Sequence, residues 1–64
     1  MTTKEWNEGI EFLETADEGC WIENGNRRVE VVNMIGGRFL CFEDDEVCKL
    51  CDEEWRAMSF LKGI

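Results

Sequence analysis

The spacing of apolar residues predicts a helix in the first third of the chain. Trp6, Ile10 and Leu13 fall on one stripe at about 100° per residue, and glutamates fill the opposite side. Thr2 and Glu5 have the spacing of a capping box, in which each side chain accepts a hydrogen bond from the other residue's backbone N–H. We therefore expect an amphipathic helix that begins near Thr2 and has an acidic outer side.

The middle third has the composition of β-strands. Segments rich in β-branched and aromatic residues lie at 20–23, 28–35 and 38–42. The Asn-Gly dipeptide at 24–25 is a strong hairpin signal, and the two glycines at 36–37 mark a second turn. These features predict three short antiparallel strands in a meander. Alternation fails at Val31-Val32, where we expect either a bulge or a strand that is covered on both sides.

The last third predicts a second helix, from about Asp45 to Lys62. Its expected apolar face is formed by Val47, Leu50, Cys51, Met58 and Leu61. Glu54 falls in the middle of that face, so either a central arginine pairs with it or the helix begins at Asp52 after a cysteine knuckle. Together the segments predict an α+β fold, one domain over residues 1–64, with the order helix, three-stranded antiparallel meander, helix (α-β-β-β-α).

The four cysteines are spaced as candidate metal ligands. Cys48 and Cys51 form a Cys-x-x-Cys pair, and Cys20 and Cys41 supply two further thiols. If Cys20 opens the first strand, Cys41 closes the third and the pair starts the last helix, all four can meet at one end of the sheet. Because the chain has no histidine, the predicted site is a structural four-cysteine zinc site that staples the last helix to the sheet.

Other fates of the cysteines stay open at this point. Free cysteine is among the most buried residue types, so the thiols can be ordinary core residues. Disulfides, a thioredoxin-type redox pair and an iron–sulfur cluster are also compatible with the spacing.

The polar N-terminus and the short apolar runs predict no signal peptide and no membrane span. We therefore expect a reducing cytoplasm, where clustered cysteines hold metal more often than disulfides.

The charge narrows the choice of partner. The formal net charge is −8, with six acids and one lysine in residues 1–18 and seven acids in residues 43–64. Nucleic acids and anionic membranes attract basic proteins, so we expect neither as a direct partner. A dense negative field favours a basic protein surface. We expect a monomer or a weak homodimer, since an open sheet edge can pair with a second copy.

Catalysis is not expected. A nucleophile triad needs histidine or another base, no glycine-rich phosphate loop is present, and so small a chain has little room for a substrate pocket. The candidate contact residues are therefore the acids and nearby aromatics. They are Glu11, Glu14, Glu18, Glu43, Asp44, Asp45, Glu46, Asp52 and Glu53, with Phe12 and Phe60.

With acidic blocks at 5–18 and 43–54 and cysteines at 20, 41, 48 and 51, the chain resembles type II-A anti-CRISPR proteins. These are small acidic phage-encoded inhibitors, some of which carry a cysteine-bound metal. The resemblance covers the whole chain as a profile of size, charge and cysteine content. It implies binding to Cas9 or its guide-RNA complex in a bacterial host cell, and obstruction of target-DNA loading. Cas9 holds its heteroduplex in a positively charged channel, which an acidic DNA mimic suits.

Two functions from different classes follow from the sequence. The first is a non-enzymatic inhibitor that occupies a basic site on a nucleic-acid-handling protein through its acids. The second is a zinc-stabilised adaptor or subunit whose apolar and aromatic residues make the interface, with the acids serving only solubility. Reversal of the acids at 43–46 should abolish binding in the first case, whereas Phe60→Ala should do more harm in the second.

Overall fold

A computed structural model describes residues 1–63 of the chain. Its elements are α1 (Thr3–Thr15), β1 (Trp21–Asn24), β2 (Arg27–Met34), β3 (Gly37–Glu43), β4 (Glu46–Cys51) and α2 (Glu54–Lys62). The four strands form one antiparallel sheet in the order β1-β2-β3-β4. The predicted α+β class is confirmed. Within residues 1–63, neither helix has the length and apolar character needed to cross a bilayer.

The first helix begins where the sequence predicts. Thr2 is its N-cap and accepts a hydrogen bond from the Glu5 backbone, while the Glu5 carboxylate accepts one from the Thr2 backbone. Leu13 is fully buried, and Trp6 and Ile10 pack against the same core. The apolar stripe therefore faces the core as expected, and the glutamates lie on the exposed side.

The meander also follows the prediction, with small shifts at its turns. Asn24 pairs with Arg27, so the first turn is formed by residues 25–26 rather than by the Asn-Gly dipeptide itself. The first turn thus comes one residue later than predicted, whereas the second comes one residue earlier, because Met34 pairs with Gly37. The register shifts between Val31 and Met34, which confirms a bulge as the cause of the failed alternation.

The prediction of three strands is wrong, because residues 46–51 form a fourth strand instead of the first turns of a helix. Asp44 and Asp45 both have left-handed backbone angles, with φ of 52° and 65°. Two such residues in succession make the tight turn that joins antiparallel strands, and Glu43 pairs with Glu46 across it. The segment expected to begin a helix near Asp45 therefore forms a hairpin, and α2 begins only at Glu54, after the cysteine pair.

Both helices cover one face of the sheet, which we call the inner face. Its strand residues Val29, Val31, Phe39, Cys41 and Cys51 pack with Leu13 of α1 and Ala57, Met58, Phe60 and Leu61 of α2. Paired residues in an antiparallel sheet share a face. The residues between the inner-face positions therefore form an outer face, which no helix of the described chain covers.

Close contacts join α2 to the rest of the fold. Gly9 of α1 is buried, and a Cβ placed there would lie 2.6 Å from Met58 Sδ, so only glycine lets the helices approach this closely. The Asn24 side chain donates to the Leu61 carbonyl at 2.9 Å, and Arg27 donates to the Phe60 carbonyl at 2.7 Å. Polar side chains of the first hairpin thus donate to carbonyls in the last turn of α2.

Candidate functional site: the thiols, the acids and two uncovered surfaces

Two of the four cysteines meet in the core. Cys41 on β3 and Cys51 at the end of β4 are buried, and their Sγ atoms lie 3.6 Å apart. Lys49 is the residue opposite Cys41, so the two thiols are diagonal neighbours on the inner face. Burial, followed by the hydrogen bond with Cys51, raises the pKa of the Cys41 thiol to about 12. At neutral pH Cys41 is therefore a thiol and not a thiolate.

The other two cysteines lie elsewhere. Cys20 precedes β1 and its carbonyl accepts from Val31 N–H at 2.8 Å, which places it at the β1 edge of the sheet. Cys48 is the extra residue of a bulge in β4, at the opposite edge, and it is exposed. At a strand spacing of about 4.8 Å, the two edges are roughly 14 Å apart. Thiolates that share one zinc ion lie within about 4 Å of each other.

The arrangement does not fit the expected four-cysteine zinc site. Only Cys41 and Cys51 are close enough to share an ion, and within residues 1–63 no group of three or more cysteine or carboxylate side chains could hold a metal. The sequence expectation failed because it placed Cys48 and Cys51 on a helix. On a strand with a bulge, Cys48 leaves the core while Cys51 enters it. Zinc as a cofactor stays a prediction.

The acidic block at 43–46 is largely engaged within the fold. Arg27 contacts Glu43 at 3.0 Å, and Arg28 contacts Asp45 at 2.9 Å. The Asn26 amide donates to Asp44. Glu46 makes no ion pair within residues 1–63. Three of the four acids thus hold the turns and arginines of the sheet together, and their reversal would disturb the fold as well as any partner.

The acids of α1 are in a different position. The carboxylates Glu5, Glu8, Glu11, Glu14, Asp17 and Glu18 are exposed. Lys4 is the one basic residue in this part of the sequence, and it lies 4.0 Å from Glu8. The pKa of Glu5 is lowered, chiefly by its hydrogen bond with the Thr2 backbone. A surface of like charge with so few cations is suited to a basic partner. We call residues 5–18 on this side the α1 acidic surface.

Beside this surface, a groove runs between α1 and the edge of β1. Its volume is about 420 Å³. The buried side chains of Met58 and Leu61 lie at its base, and it is also lined by Met1, Glu5, Glu8, Gly9 and Phe12 of the N-terminal segment and by residues 21–24 of β1. The groove therefore has an apolar base with the carboxylates of Glu5 and Glu8 on the α1 side, while Glu23 lies at the β1 edge with its side chain on the outer face of the sheet.

The two aromatic contact residues expected from the sequence have different fates. Phe12 is 37% exposed and lines the groove, so it is available to a partner. Phe60 is 7% exposed, and the guanidinium of Arg27 lies 4.6 Å from its ring centroid. The expectation for Phe60 is wrong, because its side chain belongs to the core.

The remaining candidates, Asp52 and Glu53, are exposed in the β4–α2 connection, and Asp52 lies 4.0 Å from Arg56.

The outer face of the sheet is a second uncovered surface. Cross-strand pairing forms two rows on this face, which are Trp21, Glu30, Leu40 and Leu50 and then Glu23, Arg28, Phe42 and Val47. Trp21 is 56% exposed and Val47 is 60% exposed. Uncovered apolar side chains of this number are typical of an interaction surface. Arg28 lies among them and stacks on Phe42, with 4.3 Å between the guanidinium and the ring centroid.

Sequence reasoning missed the residues that give both surfaces their shape. Trp21, Glu23 and Val47 became candidates only when the strands had faces and edges. One signal was present: alternation along 20–24 puts Trp21 and Glu23 on the side opposite Ile22. The groove itself had no sequence signal, since it depends on where α1 sits beside β1.

Comparison with known proteins adds no relatives to this description. No protein-family model, curated protein or solved structure matches the chain.

Proposed function

We propose that this protein is a non-enzymatic inhibitor that binds a basic surface on a nucleic-acid-handling protein in the cytoplasm of a bacterial cell. The observation that supports the proposal is the α1 acidic surface, where six carboxylates are exposed and, within residues 1–63, one of them forms an ion pair, Glu8 with Lys4. Arginine and lysine in a nucleic-acid channel bind carboxylates through the same charge-assisted hydrogen bonds that they form with phosphates. The most concrete partner, from the resemblance in size, charge and cysteine content, is a Cas9-type effector.

The acids differ in whether they form ion pairs within the fold. Glu43 and Asp45 neutralise Arg27 and Arg28 at close range, so they contribute little to the outward field. Glu11 and Glu14 on α1 have no ion-pair partner within residues 1–63. We therefore assign partner binding to α1 rather than to the block at 43–46, although the acids are most closely spaced along the sequence in that block.

The test measures target-DNA binding by a purified type II-A Cas9–guide RNA complex as this protein is added. We expect DNA loading to fall at micromolar or lower concentration, and the inhibition to weaken as salt is raised. Glu11→Lys/Glu14→Lys should weaken inhibition about tenfold or more, since it places like charge against a basic channel. Glu46→Lys/Asp52→Lys changes net charge equally and should have a smaller effect. Absence of binding to several such complexes would contradict the assigned partner.

A second candidate function is a protein–protein adaptor that docks through the outer face of the sheet. The exposed apolar residues Trp21 and Val47, with half-buried Phe42 beside them, favour it. In that case Trp21→Ser/Val47→Ser should abolish capture of the partner, or self-association measured by sedimentation, while the α1 reversals have little effect. The opposite ranking of the two double variants supports the inhibitor.

A further inference from the structure

The β1 edge of the sheet has free hydrogen-bonding groups. Cys20 O accepts from Val31 N–H, and residues that bond their neighbour alternate along an antiparallel strand. Ile22 and Asn24 therefore also bond β2, whereas the N–H and C=O groups of Trp21 and Glu23 point away from the sheet. Among residues 1–63, no backbone group outside the sheet ladder bonds Trp21 or Glu23. A fifth strand could use these groups.

The two edges of the sheet differ in how open they are to another strand. In β4 the register shifts at Cys48, and exposed Lys49 follows it. A bulge and a lysine are features that protect an edge from added strands. Across its four residues β1 has neither, and its register with β2 is regular. The groove beside α1 opens along this same edge, so an incoming strand would have space for its side chains.

The chemistry of the groove indicates which strand would enter. On the inner side it offers the apolar base and Phe12, with Glu5 and Glu8 above them. On the outer side an added strand would lie beside Trp21 and Glu23. A lysine or arginine can place its aliphatic stem on the apolar surface or its cation over an aromatic ring, and reach a carboxylate with its charged end.

We infer that the groove between α1 and β1 binds an extended basic segment of the protein partner, which adds to β1 as a fifth strand. Backbone hydrogen bonds to Trp21 and Glu23 would supply affinity, and the carboxylates of Glu8 and Glu23 would select basic side chains. A second copy of this chain is a poorer occupant, because Glu23 and the α1 acids of the two copies would face each other. The inference rests on the proposed function and names the part of the partner that is recognised.

The probe is a synthetic hexapeptide, Arg-Arg-Val-Val-Arg-Arg, acetylated and amidated at its ends, which as a strand places arginines on both faces. Binding is followed by amide chemical shifts of the isotope-labelled protein and by calorimetry. We expect saturable shifts at Trp21 and Glu23 with little change at Lys49, and at least about a fivefold loss of affinity when alternate peptide nitrogens are methylated. Methylation keeps the charge but removes the donors that a strand needs. Equal binding of the methylated peptide would overturn strand addition.

Matched variants distinguish binding in the groove from attraction by the net negative charge of the protein. Glu8→Lys/Glu23→Lys and Glu46→Lys/Asp52→Lys change the net charge equally, and all four residues are exposed, so both proteins should fold. The first pair should weaken peptide binding about tenfold or more, and the second by much less. Equal loss, shifts at the β4 edge, or a dimer that forms through β1 would each overturn the inference.

The inference and the proposed function can fail separately. If Cas9 binding depends on Glu11 and Glu14 while the peptide does not bind along β1, the proposed function stands and the inference is wrong. If the peptide binds along β1 and no nucleic-acid-handling protein is inhibited, the groove is real and the proposed function is wrong.

Discussion

Phe39 and Phe42 lie on the same strand, three residues apart, in opposite environments. Phe39 points to the inner face and is fully buried under both helices, whereas Phe42 points to the outer face, where Arg28 covers its ring only in part. The same contrast separates Cys41 from Cys48 on neighbouring strands. One face of this sheet thus contributes the buried core of a very small domain, and the other is left without a covering helix within residues 1–63.

The two phenylalanines give the largest expected difference. Phe39→Ala removes a fully buried ring and should lower the free energy of unfolding by about 3–5 kcal/mol. This loss is comparable to the total stability of a small domain, so most of the molecules should be unfolded. Phe42→Ala should cost under about 1.5 kcal/mol, because its ring already contacts solvent. Urea unfolding followed by tryptophan fluorescence measures both. Equal losses would mean that the outer face is covered, for instance by a second copy.

The buried thiol predicts a smaller, pH-dependent loss. The ordinary thiol pKa of 9.0 is raised to about 12 for Cys41, so its stabilising contribution is complete below pH 9 and is lost as pH rises from 9 toward 12. About 1 kcal/mol should be lost between pH 9 and 10.

Urea unfolding across this pH range, with Cys41→Ala and Cys48→Ala beside the wild type, checks the origin of the loss. Cys41→Ala starts less stable but should show a flatter pH dependence, whereas Cys48→Ala should retain the full slope. A slope that is the same in all three proteins would assign the loss to other groups, such as the lysines.

The smallest effect on the protein comes from comparing the accessibility of the four thiols, because this needs no substitution. Modification by a maleimide, mapped by peptide mass spectrometry, should reach exposed Cys48 first and half-buried Cys20 next. Cys41 and Cys51 should react at least about a hundredfold more slowly, since they need the fold to open. One zinc per chain by elemental analysis, with Cys20 and Cys48 protected until a chelator is added, would instead support the four-cysteine site.

Much of the fold was predictable because its signals are local. The capping box at Thr2 and the stripe of Trp6, Ile10 and Leu13 depend on neighbours within one or two turns, and they survive in the structure. The failure at 45–53 has an equally physical cause. Asp44-Asp45 is compatible both with a helix start and with a left-handed turn, and pairing of β4 with β3 decides between them.

The candidate surfaces were less accessible to sequence reasoning. Charge density favoured the acidic block at 43–46, but ion pairs with Arg27 and Arg28, distant in sequence, turn Glu43 and Asp45 into structural residues. Phe60 had the character of a contact residue until the fold placed it in the core. Only contacts between distant segments could reveal either fact.

The sequence by itself determined the α+β class, the first helix with its acidic side, the meander and a net charge that favours basic partners. These follow from side-chain periodicity, turn chemistry and composition, which act over a few residues or need no structure at all. The tertiary structure decided the fourth strand, the separation of the four thiols, which acids remain free, and the groove beside β1. Those depend on strand pairing and on the position of α1, which are set by contacts between residues far apart in the chain.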